Sequence, residues 1–251
     1  MKIVIDDQTR SLICDGKTIP LYTEAAFTLI SDLWLKIGFA QKYSYTFTWF
    51  GVPIIQLPED VLRYQEVVFC SKPDVIVETG IAHGGSAIFS ASLLKLIGKG
   101  RVIAIDVDIR PQNRARLEAH PLKSSITLIE GSSTAPDVVA RVKNSIRPGE
   151  SVLVILDSNH SFAHVTAELE AYAPLVTLGS YIVAADGYMR DLTDVPGGDK
   201  SWLQDNPSRA ALEFAAKHSD FIIENPAWSF NESSLQKNIT YWPNAWLKRI
   251  K

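Results

Sequence analysis

Residues 77–89, VETGIAHGGSAIF, join the apolar run at Val75-Ile76 to a small-residue segment of helical composition through a glycine-rich turn. A buried strand, a tight turn and a helix start, in that order, build the ligand crevice of a doubly wound α/β domain at the carboxyl end of its first parallel strand. Gly80, Gly84 and Gly85 allow a sharp turn and close approach to a ligand, and Ser86 is positioned to cap the helix. Glu78 sets the ligand chemistry. A carboxylate at the strand end repels a pyrophosphate and welcomes a cation, such as the amino group of an amino-acid moiety. The glycine spacing matches neither the dinucleotide fingerprint nor the phosphate loop of nucleotide hydrolases. These residues therefore point to S-adenosylmethionine (SAM), a cationic nucleoside, ahead of NAD or ATP.

Downstream, strands and helices alternate. Strands are expected at Val75–Glu78, Arg101–Asp106, Ile126–Glu130, Val152–Asp157, Tyr181–Ala185 and Phe221–Glu224, with a last strand at Ile239–Trp242 and a short basic end after Pro243-Asn244. Runs such as VIAID and VLVILD are apolar at consecutive positions, as strands covered on both faces must be. Asp106 ends the second strand, where an acid can accept hydrogen bonds from ribose hydroxyls. After the third strand, Ser132 and Ser133 offer hydroxyls where an adenine would lie, or cap the next helix. Gly187–Asn206 is a long polar stretch after a strand end, and reads equally as a lid or a solvated loop.

Upstream, Lys2–Ile5 and Ser11–Cys14 read as a β-hairpin, with another turn at Asp15-Gly16. A helix is expected over Thr23–Phe39 with Ala26, Leu29, Ile30, Leu33 and Ile37 on its apolar face. Aromatics crowd Tyr43–Pro58 and are read first as packing. Glu59–Cys70 reads as the helix before the first parallel strand. Residues 1–40 are taken as an N-terminal extension and 41–251 as the main domain.

Composition narrows the classes. In 251 residues, 46% are hydrophobic and 21% charged, and the net charge is −3. No basic field for nucleic acid or an anionic membrane follows from that balance. Cys14 and Cys70 suggest neither a disulfide framework nor a metal-binding CxxC. Acids interrupt the first residues, and no apolar run approaches the ~20 residues of a membrane span. A cytoplasmic protein is expected, with no nucleic-acid or membrane partner.

The richest polar cluster follows the fourth strand: Asp157-Ser158-Asn159-His160-Ser161, then His164 and Glu168. Asp186 ends the fifth strand beside it. Asp157 and Asp186 with waters can hold Mg²⁺, which prefers oxygen ligands, and His160 suits a general base. The competing reading is a helix cap by Asp157 or Ser158, with His160 and His164 one turn apart on that helix. The HxxxH spacing lacks the companions of a zinc site.

Taken together, WFGVP at 49–53, YQE at 64–66, VETGIAHGGSAIF, IDVDIRPQNR, LDSNHSFAHV and GSYIVAADG resemble the cephalosporin hydroxylase/rhamnosyl O-methyltransferase family. The resemblance runs from about Trp49 to the C-terminal WPNAWLKRI. It implies a Rossmann-like methyltransferase sheet of seven strands, the last antiparallel, and catechol-methyltransferase-like use of SAM and Mg²⁺. Glu78, Gly80, His83, Gly84, Ser86, Asp106, Ser132, Ser133 and Asp157 would bind the cofactor, Asp157 and Asp186 the metal, and His160 would accept the proton. Asn159 replaces a usual Asp, and Ala185-Asp186 a usual acidic pair, so fewer carboxylates face the metal. The expected activity is O-methylation of a deoxysugar or glycosylated natural product by a homo-oligomer acting on a small-molecule or glycan acceptor. Two alternatives stand beside it: a non-haem iron hydroxylase using His160, His164 and Asp157, and a non-catalytic SAM-binding assembly subunit.

Overall fold

The structure, a computed structural model, describes residues 2–251. Its first strands, β1 (Ile3–Asp6), β2 (Ser11–Cys14) and β3 (Lys17–Pro20), form an antiparallel sheet in that order. The third strand extends the expected hairpin because Asp15 and Gly16 both take positive φ, 45° and 81°. A two-residue turn of that hand matches strand twist and folds the chain straight back. It sets Ile19 opposite the buried Leu12.

Helix α1 (Glu24–Ala40) begins at Thr23, whose hydroxyl accepts from the Ala26 amide. Its buried line is Ala26, Ser31, Leu35 and Gly38, whereas Ile30 and Ile37, expected on the inner face, are exposed. The small residues let Tyr241 approach, and its hydroxyl donates to the Leu35 carbonyl at 2.9 Å. The aromatic stretch contains a hairpin, β4 (Phe47–Trp49) and β5 (Val52–Ile54). Its rings pack edge-on: Tyr43 meets Trp34 and Phe47, and Trp49 meets Phe89. Helix α2 (Pro58–Ser71) starts on proline, which needs no amide partner there.

The central sheet holds β6 (Val75–Thr79), β7 (Arg101–Asp106), β8 (Ile126–Glu130), β9 (Val152–Leu156), β10 (Tyr181–Ala184), β11 (Phe221–Ile223) and β12 (Trp246–Arg249). Its order is β11-β12-β10-β9-β6-β7-β8, and only β12 runs antiparallel to its neighbours. Helices α3 (Gly85–Ile97), α4 (Pro111–Ala119), α5 (Pro136–Asn144), α6 (Phe162–Tyr172) and α7 (Pro207–Lys217) complete the alternation. Successive residues of β6 face opposite cores. Ile76 packs with Ile88, Leu94 and Val102, and Val77 packs with Ile103, Val154 and Leu169. The sheet is thus covered on both faces, which explains the unbroken apolar runs.

The last strand lies later than expected. Ile239–Trp242 is irregular, and β12 begins only after Asn244, whose φ of 56° turns the chain. Tyr241 and Trp242 are buried by side-chain packing rather than sheet pairing, so their apolar character mimics a strand. The 187–206 stretch contains two short 3₁₀ turns, Gly187–Asp191 and Lys200–Leu203. It is tied to α1 by Lys36–Asp194 at 2.8 Å and by Trp202 edge-on to Phe39.

Strand β6 lies where the order reverses, with β7 on one side and β9 on the other. A crevice opens at such a switch point. There the Gly80 amide donates to the Ile105 carbonyl at 2.8 Å, and the Asp157 amide to the Thr79 carbonyl at 2.9 Å. Gly80 has φ of 90°, and a Cβ on it would lie 2.0 Å from the Asp157 carbonyl oxygen. Gly80→Ala is expected to lower stability by about 1–3 kcal/mol through overpacking of a strained turn. An unchanged denaturation midpoint would contradict this account of the loop.

Candidate active site

The glycine loop leaves β6 and is held from β7. Asp106 Oδ2 accepts the amides of Ile81 at 2.8 Å and Ala82 at 3.2 Å, while Oδ1 accepts the Asp108 amide at 3.1 Å. Asp106 therefore shapes the loop before any ligand arrives, with lone-pair capacity left over. Asn113 adds a 2.7 Å bond to the Ala82 carbonyl.

Glu78 lies deeper than its strand-end position suggests. It is 1% exposed, and its Oε1 accepts from the Ser86 hydroxyl. Ser86 does not cap α3; that position belongs to Gly84, with φ of 94°. The helix begins earlier than expected, which turns Ser86 inward. Burial pushes the Glu78 carboxyl up to about 7, and its Oε2 is buried without a partner. An unpaired buried carboxylate oxygen is costly unless a donor arrives. A ligand ammonium fits that need.

Above the loop, a cleft of about 410 Å³ is lined by Gly80, Asp106, Ser132, Ser133 and Asp157, together with Ser158, Asn159 and His164. Five of the nine residues expected to bind the cofactor thus share one cleft. Glu78, His83, Gly84 and Ser86 lie outside its lining, as does His160. Neither serine caps α5, whose N-terminal flank is Ala135. Ser132 pairs with Thr134, and Ser133 faces the His164 ring at 3.2 Å.

The second cluster forms where β9 and β10 end. Ligand atoms of Asp157, His160 and Asp186 lie within 4.8 Å of one another, and His160 Nε2 is 3.5 Å from Asp186 Oδ2. Asp186 adopts φ of 59°, a left-handed conformation that aspartate tolerates better than most residues. Burial, then the charges of Asp186 and Glu78, hold the Asp157 carboxyl well above the usual carboxylate range. Crowded carboxylates beside an imidazole suit a hard divalent cation. His160 is near enough to these carboxylates to be a third ligand.

His160 precedes helix α6, and it is Ser161 that caps the helix by accepting the His164 amide. His164 is engaged elsewhere. Its Nε2 lies 3.2 Å from the hydroxyls of Ser133 and Ser158 and 3.3 Å from Glu168 Oε1. Glu168 is fully buried and also accepts the Ser158 hydroxyl at 2.7 Å. An iron triad of His160, His164 and Asp157 does not assemble here. The His164–Glu168 spacing of one helical turn was the signal for this buried network.

Comparison with known proteins matches residues 41–250 to the family model described as Rhamnosyl O-methyltransferase/CmcI. The rhamnosyl O-methyltransferase of Mycobacterium leprae (strain TN) is 35% identical over 148 residues, 56% of this chain and 60% of that protein. Its counterpart in Mycobacterium tuberculosis (strain ATCC 25618 / H37Rv) is 32% identical over 155 residues, 60% of each chain. The matched part thus spans 60% of these curated relatives' length. Among solved structures, apo CmcI aligns with a TM-score of 0.56 and 19% identity, covering 82% of this chain and 77% of that one. CmcI described with Mg and SAM aligns at 0.55 and 18%, covering 82% and 78%. The O-methyltransferase TomG from Streptomyces achromogenes aligns at 0.52 and 17%, covering 76% and 79%. These likenesses concern the fold, whereas the family match extends over most of the sequence. The chain belongs to the Rhamnosyl O-methyltransferase/CmcI family.

Proposed function

We propose that this protein is a SAM-dependent O-methyltransferase acting on a hydroxyl of a deoxysugar or glycosylated natural product, with Mg²⁺ assisting. The observation that carries the reading is the unpaired, buried Glu78 Oε2 beneath the glycine loop, on a carboxylate whose charge reaches Asp157 of the carboxylate–imidazole cluster. The names of the matched relatives, and the Mg and SAM of CmcI, support the same direction.

SAM supplies an electrophilic methyl group on a sulfonium, and Mg²⁺ a charge that acidifies a bound hydroxyl. Glu78 holds the ammonium of the cofactor, with Ser86 steadying its other oxygen. Asp106 offers its remaining lone pairs to ribose hydroxyls. Gly80, His83 and Gly84 shape the loop, and Ser132 and Ser133 border the base. Asp157 bridges the two halves of the site and, with Asp186, binds the metal. His160 takes the acceptor's proton at Nε2, and the Asp186 carboxylate stabilises the resulting imidazolium.

Residues 41–251 form the proposed catalytic domain. The extension, residues 1–40, carries the exposed Trp34 and Ile37 and is proposed to serve a homo-oligomer contact. Among the described residues no helix is long and apolar enough to cross a membrane.

Transfer of labelled methyl from SAM to a panel of rhamnosides tests the function. Label in the sugar is expected; none with any glycoside, despite bound cofactor, would refute the acceptor class. In the same assay, chelation should abolish most turnover and Mg²⁺ restore it, while S-adenosylhomocysteine binding survives. Full activity in chelator-treated enzyme would remove the metal from the mechanism.

A further inference from the structure

Helix α2 opens Pro58-Glu59-Asp60, and Asp60 is 3% exposed. Both of its oxygens are committed to one distant segment: Oδ1 accepts from the Thr240 hydroxyl, and Oδ2 accepts the Tyr241 amide at 2.8 Å. The Thr240 hydroxyl oxygen in turn accepts the Trp242 amide at 2.8 Å. Residues 240–242 are thus fixed from α2, although they belong to no strand. That segment backs the turn that carries Asp186. The Tyr241 carbonyl accepts the Tyr188 amide at 3.0 Å, and the Ala245 carbonyl accepts the Ala184 amide at 2.9 Å. Between them, a Cβ on Gly187 would lie 2.8 Å from the Pro243 carbonyl oxygen. Asp186, in its left-handed conformation, is therefore gripped on both sides by residues 241–245. Tyr188, Tyr241 and Trp242 line a cavity of about 80 Å³ with Asp186, and none of its lining residues borders the cleft beside Asp106.

A carboxylate suits position 60 because its two oxygens accept from two donors at once, whereas an amide offers one oxygen and brings donors of its own. Holding a loop to a helix does not by itself call for a charge, since apolar packing does that without desolvating a carboxylate. Burial pushes the Asp60 carboxyl up to about 7 against the lowering effect of its two hydrogen bonds, and the charge of Asp186 adds to the rise. Asp60 thus lies within electrostatic reach of Asp186. What a carboxylate adds over packing is direction. It fixes the Tyr241 backbone, and that backbone fixes Tyr188, two residues from Asp186.

Resting on the reading above, in which Asp186 binds the metal and the acceptor is methylated beside it, we propose that Asp60 is a positioning residue for the acceptor half of the site. By holding residues 240–242 it sets the turn at Asp186 and the cavity wall formed by Tyr188 and Tyr241. The cofactor half is held separately, by Asp106 through the amides of Ile81 and Ala82. Each half of the site is thus oriented by its own carboxylate, and a change at Asp60 acts on metal and acceptor while sparing the cofactor.

The test compares wild type with Asp60→Asn and Thr240→Val. Asp60→Asn keeps the shape but leaves one of the two donors without an acceptor. Thr240→Val removes one bond and spares the one to the Tyr241 amide, so it serves if Asp60→Asn does not fold. Three quantities are measured: S-adenosylhomocysteine affinity by calorimetry, Mn²⁺ affinity of the S-adenosylhomocysteine-bound protein by electron paramagnetic resonance, with Mn²⁺ standing in for Mg²⁺, and KM and kcat with methyl α-L-rhamnopyranoside. In Asp60→Asn, Mn²⁺ binding should weaken and the acceptor KM rise, each by about tenfold. S-adenosylhomocysteine affinity, and kcat at saturating metal and acceptor, should stay at the wild-type level. Thr240→Val should move the same two quantities by less. Parallel loss of all three affinities would make Asp60 an anchor of the whole fold and overturn the proposal, as would Mn²⁺ affinity and KM that do not change. Wild-type protein that binds S-adenosylhomocysteine but neither Mn²⁺ nor any glycoside acceptor would overturn the underlying function as well.

Discussion

His160→Ala is expected to lower the turnover number of methyl transfer by roughly 10²–10⁴-fold and to leave SAM affinity nearly intact. A sugar hydroxyl is a poor nucleophile unless its proton departs as the methyl arrives. His160 is the imidazole at the carboxylate cluster, and it lies outside the lining of the cleft beside Asp106, where the cofactor is proposed to bind. His164→Ala should do less to turnover, because that ring serves the Ser133–Ser158–Glu168 network. One further reading separates a base from a metal ligand: the Mg²⁺ requirement of the residual activity in His160→Ala should stay the same. Near-normal turnover would remove His160 from the mechanism. A large loss in Mg²⁺ affinity would assign it to the metal instead.

Glu78→Gln is expected to weaken SAM binding about tenfold to a hundredfold, the range of a charge-assisted hydrogen bond of roughly 1.5–3 kcal/mol. The pH dependence makes the prediction specific. Burial raises the Glu78 carboxyl to about 7, above its ordinary value of 4.5. Between those values the folded chain keeps a proton that the unfolded chain has lost, so this group lowers stability as pH rises through that window. An ammonium ligand favours the ionised form, and SAM affinity should therefore increase with pH up to about 7 and then level off. Glu78→Gln should bind weakly at every pH and, without ligand, unfold no more easily than wild type above pH 7. An affinity that falls with rising pH, or is unchanged by the substitution, would contradict the assignment. Asp106→Ala should also weaken binding, but through the loop amides it holds as well as through the ribose.

Why these residues were visible in the sequence, and others were not, follows from the range of the interactions involved. The strand–turn–helix at 75–97 is local: apolar continuity, glycines with positive φ and a helical run are all written within a few residues. The strand-end acids Asp106, Asp157 and Asp186 were legible for the same reason, since parallel strands end on one edge of the sheet. Side-chain direction was less legible. Ser86 looked like a cap because the helix start is uncertain by a residue or two from sequence, yet it turns inward to Glu78. The apolar face assigned to α1 missed because Ser31 and Gly38 are buried for close approach rather than for hydrophobicity. The Tyr241-Trp242 pair imitated a strand because burial alone does not specify backbone pairing. Contacts across long sequence separations carried no local signal. Tyr241 and Thr240 reach back to the buried Asp60, which burial lifts to about 7. Gln56 reaches Asp157, 101 residues away.

Calorimetric titration of the purified protein with SAM and with NAD tests the central claim most directly, because the proposed reaction requires a crevice that takes a cationic nucleoside with an ammonium group. The account predicts one SAM per chain, bound more tightly than NAD and weakened by Glu78→Gln. NAD bound more tightly than SAM, or SAM binding indifferent to Glu78, would contradict it.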